Sequence, residues 1–177
     1  RRLAHSLFDQ LAPLHGLDDR CRELLGFACV LHDIGYLIGH SGHHKHSYYL
    51  IRNGGLKGFS EGEIELIANL ARYHRKGRPR KDDYSYAHLD RESRRAFKKL
   101  IPILRLANAL DRTHYSVVRS VTCSLLVDRV AIEVQAEQDS ELEIWTARRQ
   151  AEIFERQYGF ALEVSPPPDI AKGDENT

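Results

Sequence analysis

The sequence predicts a mainly α-helical bundle with a small ββαβ appendage at its C-terminal end. Two observations predict this fold class. Apolar residues recur at helical spacing up to about residue 115, and β-branched, partly alternating segments follow. Apolar residues make up 42% and charged residues 29% of the 177-residue chain, as in globular proteins. We therefore divide the chain into a helical domain (1–116), an appendage (117–165) and a tail (166–177).

Five helices are predicted in the helical domain, and residues that cap or stop helices mark their ends. Gly16 follows the first helix, and Ser60 with Glu63 forms a capping box for the fourth. Asp90 can cap the long fifth helix, in which Pro102 predicts a kink or a junction. In chain order, the helices are predicted at about residues 3–16, 18–35, 44–52, 60–74 and 90–110.

The appendage is predicted from a hairpin, one helix and a last strand. Asp128 and Arg129 form the tight turn of the hairpin, and Ser140 with Glu143 suggests a second capping box. We expect Trp145 to anchor the appendage helix on its strands. The strands are predicted at residues 117–127, 130–135 and 160–164.

Composition and charge exclude several classes of protein. The three cysteines are far apart and odd in number, which argues against a disulfide framework or a zinc ribbon and favours a reducing cytoplasm. No apolar run approaches the roughly 20 residues of a membrane span. Net charge is +1, yet residues 72–81 contain six basic residues and no acid. This run predicts an anion-binding surface, with a solvated loop as the alternative.

Histidines carry the strongest chemical signal, because five of the ten lie between His32 and His46. His32 and Asp33 are adjacent at a predicted helix end, where they offer an imidazole nitrogen and a carboxylate oxygen to one small volume. Zinc, manganese and iron accept such ligands. A bound cation would acidify a water molecule and polarise a phosphoryl oxygen. A structural hydrogen bond between the two side chains is the alternative.

The string Leu31-His32-Asp33-Ile34-Gly35 resembles the signature of the HD superfamily of metal-dependent phosphohydrolases, which are helical proteins. The resemblance implies an HD-domain helical bundle and a divalent metal (Mn, Fe, Zn or Mg). The superfamily usually has an aspartate where this chain has Asn108, and Asp111 lies one turn later on the same helix face. The earliest histidine ligand of the superfamily would fall before Arg1. The implied metal ligands are His32, Asp33, His46, His74 and Asp111.

Four ordered strings carry a closer resemblance: LFDQL (7–11), LHDIGYLIGHSGHHKHSYYLI (31–51), RYHRKG (72–77) and LRLANALDRTH (104–114). They resemble the C-terminal half of exopolyphosphatases and guanosine pentaphosphate phosphohydrolases. In that family an N-terminal pair of actin-like domains holds the hydrolytic site, while the helical part extends the polyphosphate-binding surface and helps to dimerise. The resemblance implies a cytoplasmic accessory domain, an actin-like phosphatase half in cis or trans, and a homodimer.

The basic run then acquires a phosphate-binding interpretation, since phosphates favour arginine forks and ammonium groups. Polyphosphate or guanosine pentaphosphate is the expected ligand. Nucleic acid is disfavoured, because only Tyr73 and Tyr84 are interleaved with the basic residues and no nucleic-acid-reading motif is present. The candidate polyanion-binding residues are His43, Arg72, Arg75, Lys76 and Arg78.

Two other functions stay open. The chain is alternatively a free-standing metal-dependent HD phosphohydrolase acting on nucleotides or polyphosphate, or a purely structural dimerisation domain. Nothing in the sequence resembles the phosphate loops of the actin-like half, so we expect that this chain alone does not run the reaction of that half. Whether the chain is itself an enzyme of another kind stays open.

Overall fold

The computed structural model describes residues 1–75, 77–80 and 82–166. Lys76, a predicted polyanion-binding residue, and most of the predicted tail lie outside these residues. The described chain is mainly α with one small sheet, which confirms the predicted fold class. Its helices are α1 (Arg2–Gln10), α2 (Ala12–His15), α3 (Asp19–Leu31), α4 (His43–Asn53), α5 (Glu61–Tyr73), α6 (Tyr84–Ala87), α7 (Arg91–Ala109), α8 (Glu141–Arg148) and α9 (Ala151–Tyr158). The strands are β1 (Val118–Leu125), β2 (Arg129–Ala136) and β3 (Ala161–Ser165).

Helix α5 forms the centre of the bundle and packs against α3, α4 and α7. Nine of its 13 residues are buried, as expected for a helix that is apolar on nearly all sides. The predicted capping box begins it: the Ser60 side chain accepts from the Glu63 backbone, and the Glu63 side chain accepts from Ser60 N–H. No helix in the described part of the chain is long and apolar enough to cross a membrane.

Helix α7 begins at the predicted cap, where the Asp90 carboxylate accepts a 2.7 Å hydrogen bond from Ser93 N–H. It continues through Pro102 to Ala109 as one helix. Most of its C-terminal half is buried, because α1 and α3 of the bundle and α8 and α9 of the appendage all pack against α7.

The first predicted helix is interrupted at Leu11 and forms α1 and α2. Pro13 lies in the first turn of α2, and without an N–H it cannot continue the hydrogen-bond ladder of α1, whereas it is tolerated where a new helix begins. Gly16 ends α2 in a left-handed conformation (φ 55°), as its position predicts. Helix α3 ends at Leu31, earlier than predicted, and a short 3₁₀ helix (Ile34–Leu37) follows His32 and Asp33.

The appendage sheet has the strand order β1-β2-β3. Strands β1 and β2 form the predicted antiparallel hairpin, and β3 pairs parallel with β2. Val130, Ile132 and Val134 of β2 are fully buried. Helix α1 also contacts the sheet, because the Gln10 side chain donates to Val121 O (2.9 Å) and accepts from Cys123 N–H (2.8 Å).

Three expectations for the appendage were wrong, and the first two concern its helix and its tryptophan. Its single predicted helix is two helices, α8 and α9, which are separated at Arg149 and Gln150. Trp145 does not anchor them: its side chain is 56% exposed and the Arg149 guanidinium lies 4.7 Å from its ring centroid, whereas Ile144 and Ala147 are buried.

The second predicted capping box is absent from the described start of α8. The Ser140 side chain makes no cap hydrogen bond, and the Asp139 carboxylate instead accepts from Glu141 N–H at 2.9 Å. The buried Glu143 carboxylate accepts from the Thr113 hydroxyl at 2.8 Å. This contact joins α8 to the segment after α7.

Candidate metal and phosphate-binding site

Three imidazoles from three helix ends converge on one carboxylate, that of Asp33. His32 directly follows α3, His43 begins α4, and His74 directly follows α5. Asp33 Oδ2 lies 3.1 Å from His32 Nε2, and Asp33 Oδ1 lies 3.4 Å from Nε2 of both His43 and His74. We call these four residues the histidine–aspartate cluster.

Backbone hydrogen bonds fix the orientation of all three imidazoles. Nδ1 lies 2.9 Å from Cys29 O in His32, 3.2 Å from His40 O in His43 and 2.6 Å from Ala71 O in His74. In each case the partner is the carbonyl three residues earlier. Because a carbonyl only accepts, Nδ1 carries the hydrogen in each neutral ring, and Nε2 presents its lone pair toward Asp33. Metal-ligating histidines are commonly held in this way.

The cluster leaves polar atoms without hydrogen-bond partners. His32 Nε2, His43 Nε2 and Asp33 Oδ1 are buried and have no hydrogen bond of acceptable geometry within the described residues. Lone pairs that face one another at 3.1–3.4 Å repel unless a proton or a cation lies between them. The donor set, imidazole nitrogen with carboxylate oxygen, fits zinc, manganese or iron.

Burial and charge tune the protonation of the cluster. Burial lowers the pKa of His74 to about 3, so this imidazole is neutral. Burial by itself would raise the pKa of Asp33, but when the imidazoles carry a second proton, a hydrogen bond and the charge of His32, and then the charges of His74 and His43, outweigh burial and hold that pKa below its ordinary value. A neutral imidazole beside an ionised carboxylate is the protonation state that a cation requires.

Three of the five predicted metal ligands meet in the structure. His32, Asp33 and His74 each offer an atom within 4.8 Å of the others, close enough for a single ion. His43, which we expected to bind only polyanions, joins them. His46 lies one turn further along α4, half-buried, and does not contact the Asp33 carboxylate.

Asp111, the fifth predicted ligand, is not part of the cluster but lines a cavity that His32 also lines. Its carboxylate accepts from Ser116 N–H at 3.3 Å, and it lines a cavity of about 220 Å³ together with His32 and Asn108. Arg1 and Arg2 line the same cavity. Asp111 and Asn108 therefore face His32 across a polar cleft.

The predicted polyanion-binding residues lie on two surfaces. His43 and Arg75 line a cavity of about 280 Å³ with His40, Gly42 and His44. Arg78 pairs with Glu152 of α9 and lines a different cavity, which Arg75 also lines. The first surface, the histidine–arginine surface, adjoins the histidine–aspartate cluster because both contain His43.

Arg72 also belongs beside the histidine–arginine surface. Its guanidinium lies 5.6 Å from the ring centroid of Tyr48 and 5.7 Å from that of Tyr73. Burial lowers the pKa of His44, and the positive charges around it, which include Arg72 and Arg75, lower that pKa further. Burial is the largest cause of this shift, and the charges of Arg72 and Arg75 add to it because both lie near His44.

Several supporting residues carry no signal in the sequence. The Ser47 hydroxyl accepts from Gly35 N–H (2.9 Å) and donates to His32 O (2.6 Å), which fastens the turn after α3 onto α4. Tyr36 stacks on the His43 ring with centroids 4.1 Å apart. A buried serine or a partly exposed tyrosine has no distinctive spacing, so only the tertiary contacts reveal these roles.

A family model, the Ppx/GppA phosphatase domain III, matches residues 1–148. The match includes the helical bundle, the β1–β2 hairpin and α8, and therefore all residues of the histidine–aspartate cluster and the histidine–arginine surface. It extends over most of the chain, in agreement with the resemblance of the four sequence strings. The chain belongs to the Ppx/GppA phosphatase family, of which it carries domain III.

Proposed function

We propose that this domain binds polyphosphate-like polyanions on its histidine–arginine surface as an accessory domain of an exopolyphosphatase or guanosine pentaphosphate phosphohydrolase. An actin-like phosphatase half, in cis or in trans, would supply the hydrolytic site. One observation carries the proposal: His43, His44 and Arg75 line a single cavity of about 280 Å³, next to Arg72.

The charges at this surface suit a linear polyanion. Arg75 is exposed, and no carboxylate of the described residues lies within 4.0 Å of its guanidinium. Arginine forks bind phosphate oxygens in pairs, and the neutral His44 imidazole can donate one further hydrogen bond. Affinity for a chain of phosphates should fall as salt rises, because the attraction is largely electrostatic.

The test is the binding of medium-chain polyphosphate to the Arg75→Gln variant. We expect roughly tenfold weaker binding, since one charge-assisted contact is lost. Arg95→Gln is the matched control, because Arg95 is an exposed arginine on α7 that lies outside the cavity. Equal weakening by both variants, or no binding by the wild type, would contradict the proposal.

A metal-dependent phosphohydrolase is the second candidate, favoured by the unpartnered lone pairs of the histidine–aspartate cluster. His32, Asp33 and His74 would hold the cation, with His43 as a further ligand. When bound, the cation would acidify a water molecule and polarise a phosphoryl oxygen. The polar cleft lined by Asn108 and Asp111 would hold the substrate beside His32.

Metal analysis tests this second candidate without relying on activity. We expect purified protein to carry or take up one equivalent of manganese, iron or zinc, and His32→Ala to lose it. His46→Ala should retain the metal, because His46 does not contact Asp33. Protein that takes up no metal, or that loses it equally in both variants, would contradict the site.

We also propose that the domain supports a homodimer. Leu37 and Ile38 are 83% and 53% exposed next to the histidine–aspartate cluster, and Tyr36 is 43% exposed. A second copy of the chain would cover this apolar segment. Sedimentation should show a dimer that Leu37→Glu dissociates, whereas a wild-type monomer would contradict the proposal.

A further inference from the structure

A third cavity, of about 330 Å³, lies between the helical bundle and the appendage. Four arginines and a single acid line it: Arg75, Arg78, Arg105, Arg149 and Glu152. We propose that this arginine pocket binds a phosphate group, with Arg105 as its fixed anchor and Glu152 as a competing anion. The pocket shares Arg75 with the histidine–arginine surface, but Arg105, Arg149 and Glu152 belong to the pocket alone, so variants at Arg149 and Glu152 test it separately.

Arg105 is the unusual member of the pocket, because its side chain is buried among the packed helices yet has no counterion in the described part of the chain. Its Nε donates to Tyr73 O (2.8 Å) and its Nη2 donates to Gly77 O (2.6 Å), which fixes the guanidinium. Within the described residues no carboxylate lies within 4.0 Å of it. A buried charge without a counterion is costly, so an anion in the pocket would be strongly favoured.

The protonation of Arg105 is compatible with this role. Burial, and then the charge of Arg78, lower the pKa of Arg105 to about 10. The guanidinium therefore stays protonated near neutral pH. The same like-charge repulsion that lowers the pKa is relieved when a phosphate binds between the two arginines.

The other charges leave the pocket with an excess of positive charge. Glu152 pairs with Arg78 and also with Arg156, which lies one turn later on α9. Arg149 packs on the Trp145 ring, and among the described residues it has no carboxylate within 4.0 Å. One carboxylate thus faces four guanidinium groups.

A tetrahedral phosphate matches this arrangement in charge and in hydrogen bonding. It carries up to two negative charges at neutral pH, and its oxygens accept from several arginine forks at once. The first turn of α9, which contributes Gln150 and Glu152 to the lining, adds the positive end of a helix. The phosphate could be free inorganic phosphate or one unit of a polyphosphate chain.

Calorimetric titration of the 177-residue chain with inorganic phosphate, and separately with short-chain polyphosphate, tests the pocket. We expect one phosphate site in the wild type and about tenfold weaker binding in Arg149→Gln. Glu152→Gln should bind phosphate several-fold more tightly, because the competing carboxylate is gone. Arg95→Gln should match the wild type. Helical circular dichroism of each variant shows whether it is folded.

The results separate the two sources of phosphate. If inorganic phosphate binds and its binding depends on Arg149, the ligand of the pocket is the free anion. If only polyphosphate binds, with the same dependence on Arg149, the ligand is one phosphate unit of the chain. Equal effects of Arg149→Gln and Arg95→Gln, no tightening in Glu152→Gln, or no binding of either ligand at about 10 mM would overturn the inference. Such a failure would leave the test at Arg75 and the histidine–arginine surface unaffected.

Discussion

Gly35 decides how closely the turn after α3 approaches α4. A Cβ atom at this position would lie 2.0 Å from His43 O and 2.5 Å from Ser47 N. Both neighbours are backbone atoms of α4, so they cannot move without shifting that helix. The absence of a side chain at Gly35 therefore permits His43 to reach Asp33.

We predict that Gly35→Ala destabilises the fold by about 3 kcal/mol, because the new methyl group would overlap backbone atoms that can move only if helix α4 shifts. Urea unfolding measures the loss. Gly39→Ala is the control, since no atom lies within 4 Å of the place that its new methyl group would occupy and its φ is not positive. We expect the control to change stability by less than about 0.5 kcal/mol. Similar losses in both variants would show that the contact at Gly35 is not tight.

His15 is a buried histidine whose two ring nitrogens are both committed. Nε2 donates to Phe8 O (2.8 Å) and Nδ1 accepts from Leu17 N–H (2.9 Å). Only the neutral ring satisfies both bonds. Burial lowers its pKa below the ordinary value of 6.5, the charge of Lys99 on α7 lowers it further, and the Phe8 carbonyl and the Asp9 carboxylate on α1 oppose the shift.

This linkage predicts that stability falls as pH falls. The unfolded chain takes up a proton at His15 near pH 6.5, whereas the folded chain resists it, so the stabilisation is present above that pH and is lost below it. We expect the unfolding free energy to drop more between about pH 7.5 and about pH 5.5 in the wild type than in His15→Gln. Parallel pH profiles for the two proteins would rule out the contribution of His15.

Among the helices, α5 and α8 begin with the same serine-glutamate spacing but different caps. At α5 the Ser60 hydroxyl accepts from Glu63 N–H and Ser60 N–H donates to the Glu63 carboxylate, which also pairs with Arg20 at 2.6 Å. The Arg20 guanidinium and the Ser60 backbone hold the pKa of Glu63 at about 2. At α8 the Ser140 side chain makes no such bond.

We therefore expect the same serine-to-alanine substitution to reduce the stability of the protein by different amounts at the two helices. Ser60→Ala should destabilise by about 1 kcal/mol, the usual worth of an N-cap. Ser140→Ala should cost less than about 0.5 kcal/mol, because Asp139 accepts from the first turn in its place. Denaturant unfolding of both variants measures the difference. Equal costs would mean that sequence spacing, and not the cap geometry, determines the loss.

The helices that were predicted best are those whose starts are marked by a capping residue in the neighbouring sequence. Caps at Asp18, Ser60 and Asp90 start α3, α5 and α7, and these helices begin within a residue of the prediction. The short α6 was not predicted, because four residues are too few to show a period. Its Tyr86 is buried against the Phe97 ring, a contact with no local signature.

The candidate site was predicted in part for the same reason. The adjacent His32 and Asp33 form a local motif, and His74 follows a helix whose end is clear. The place of His43 beside Asp33 depends on the close packing of Gly35 on α4, which no sequence period reports. The arginine pocket depends on α9 folding back toward α7, and the break at Gln150 that permits this has no glycine or proline to mark it in the sequence.

At the scale of the whole molecule, the bundle and the appendage share one continuous apolar core. Buried residues run from Leu3 in α1 through Leu104 in α7 to Val164 in β3. Polar contacts cross the same boundary, since Gln10 bonds to β1 and Glu143 bonds to Thr113. A boundary crossed by so many contacts favours cooperative unfolding over two independent domains.

We predict that the bundle and the appendage unfold in one transition. Trp145, the only tryptophan, lies in the appendage and reports its environment by fluorescence, whereas far-ultraviolet circular dichroism is dominated by the bundle helices. The two guanidinium midpoints should coincide in the wild type. They should shift downward together in Gln10→Ala, because that variant removes bonds between α1 and β1. An earlier midpoint for Trp145 fluorescence would show instead that the appendage unfolds as a separate unit, and its contacts with α1 and Thr113 would then contribute little to stability.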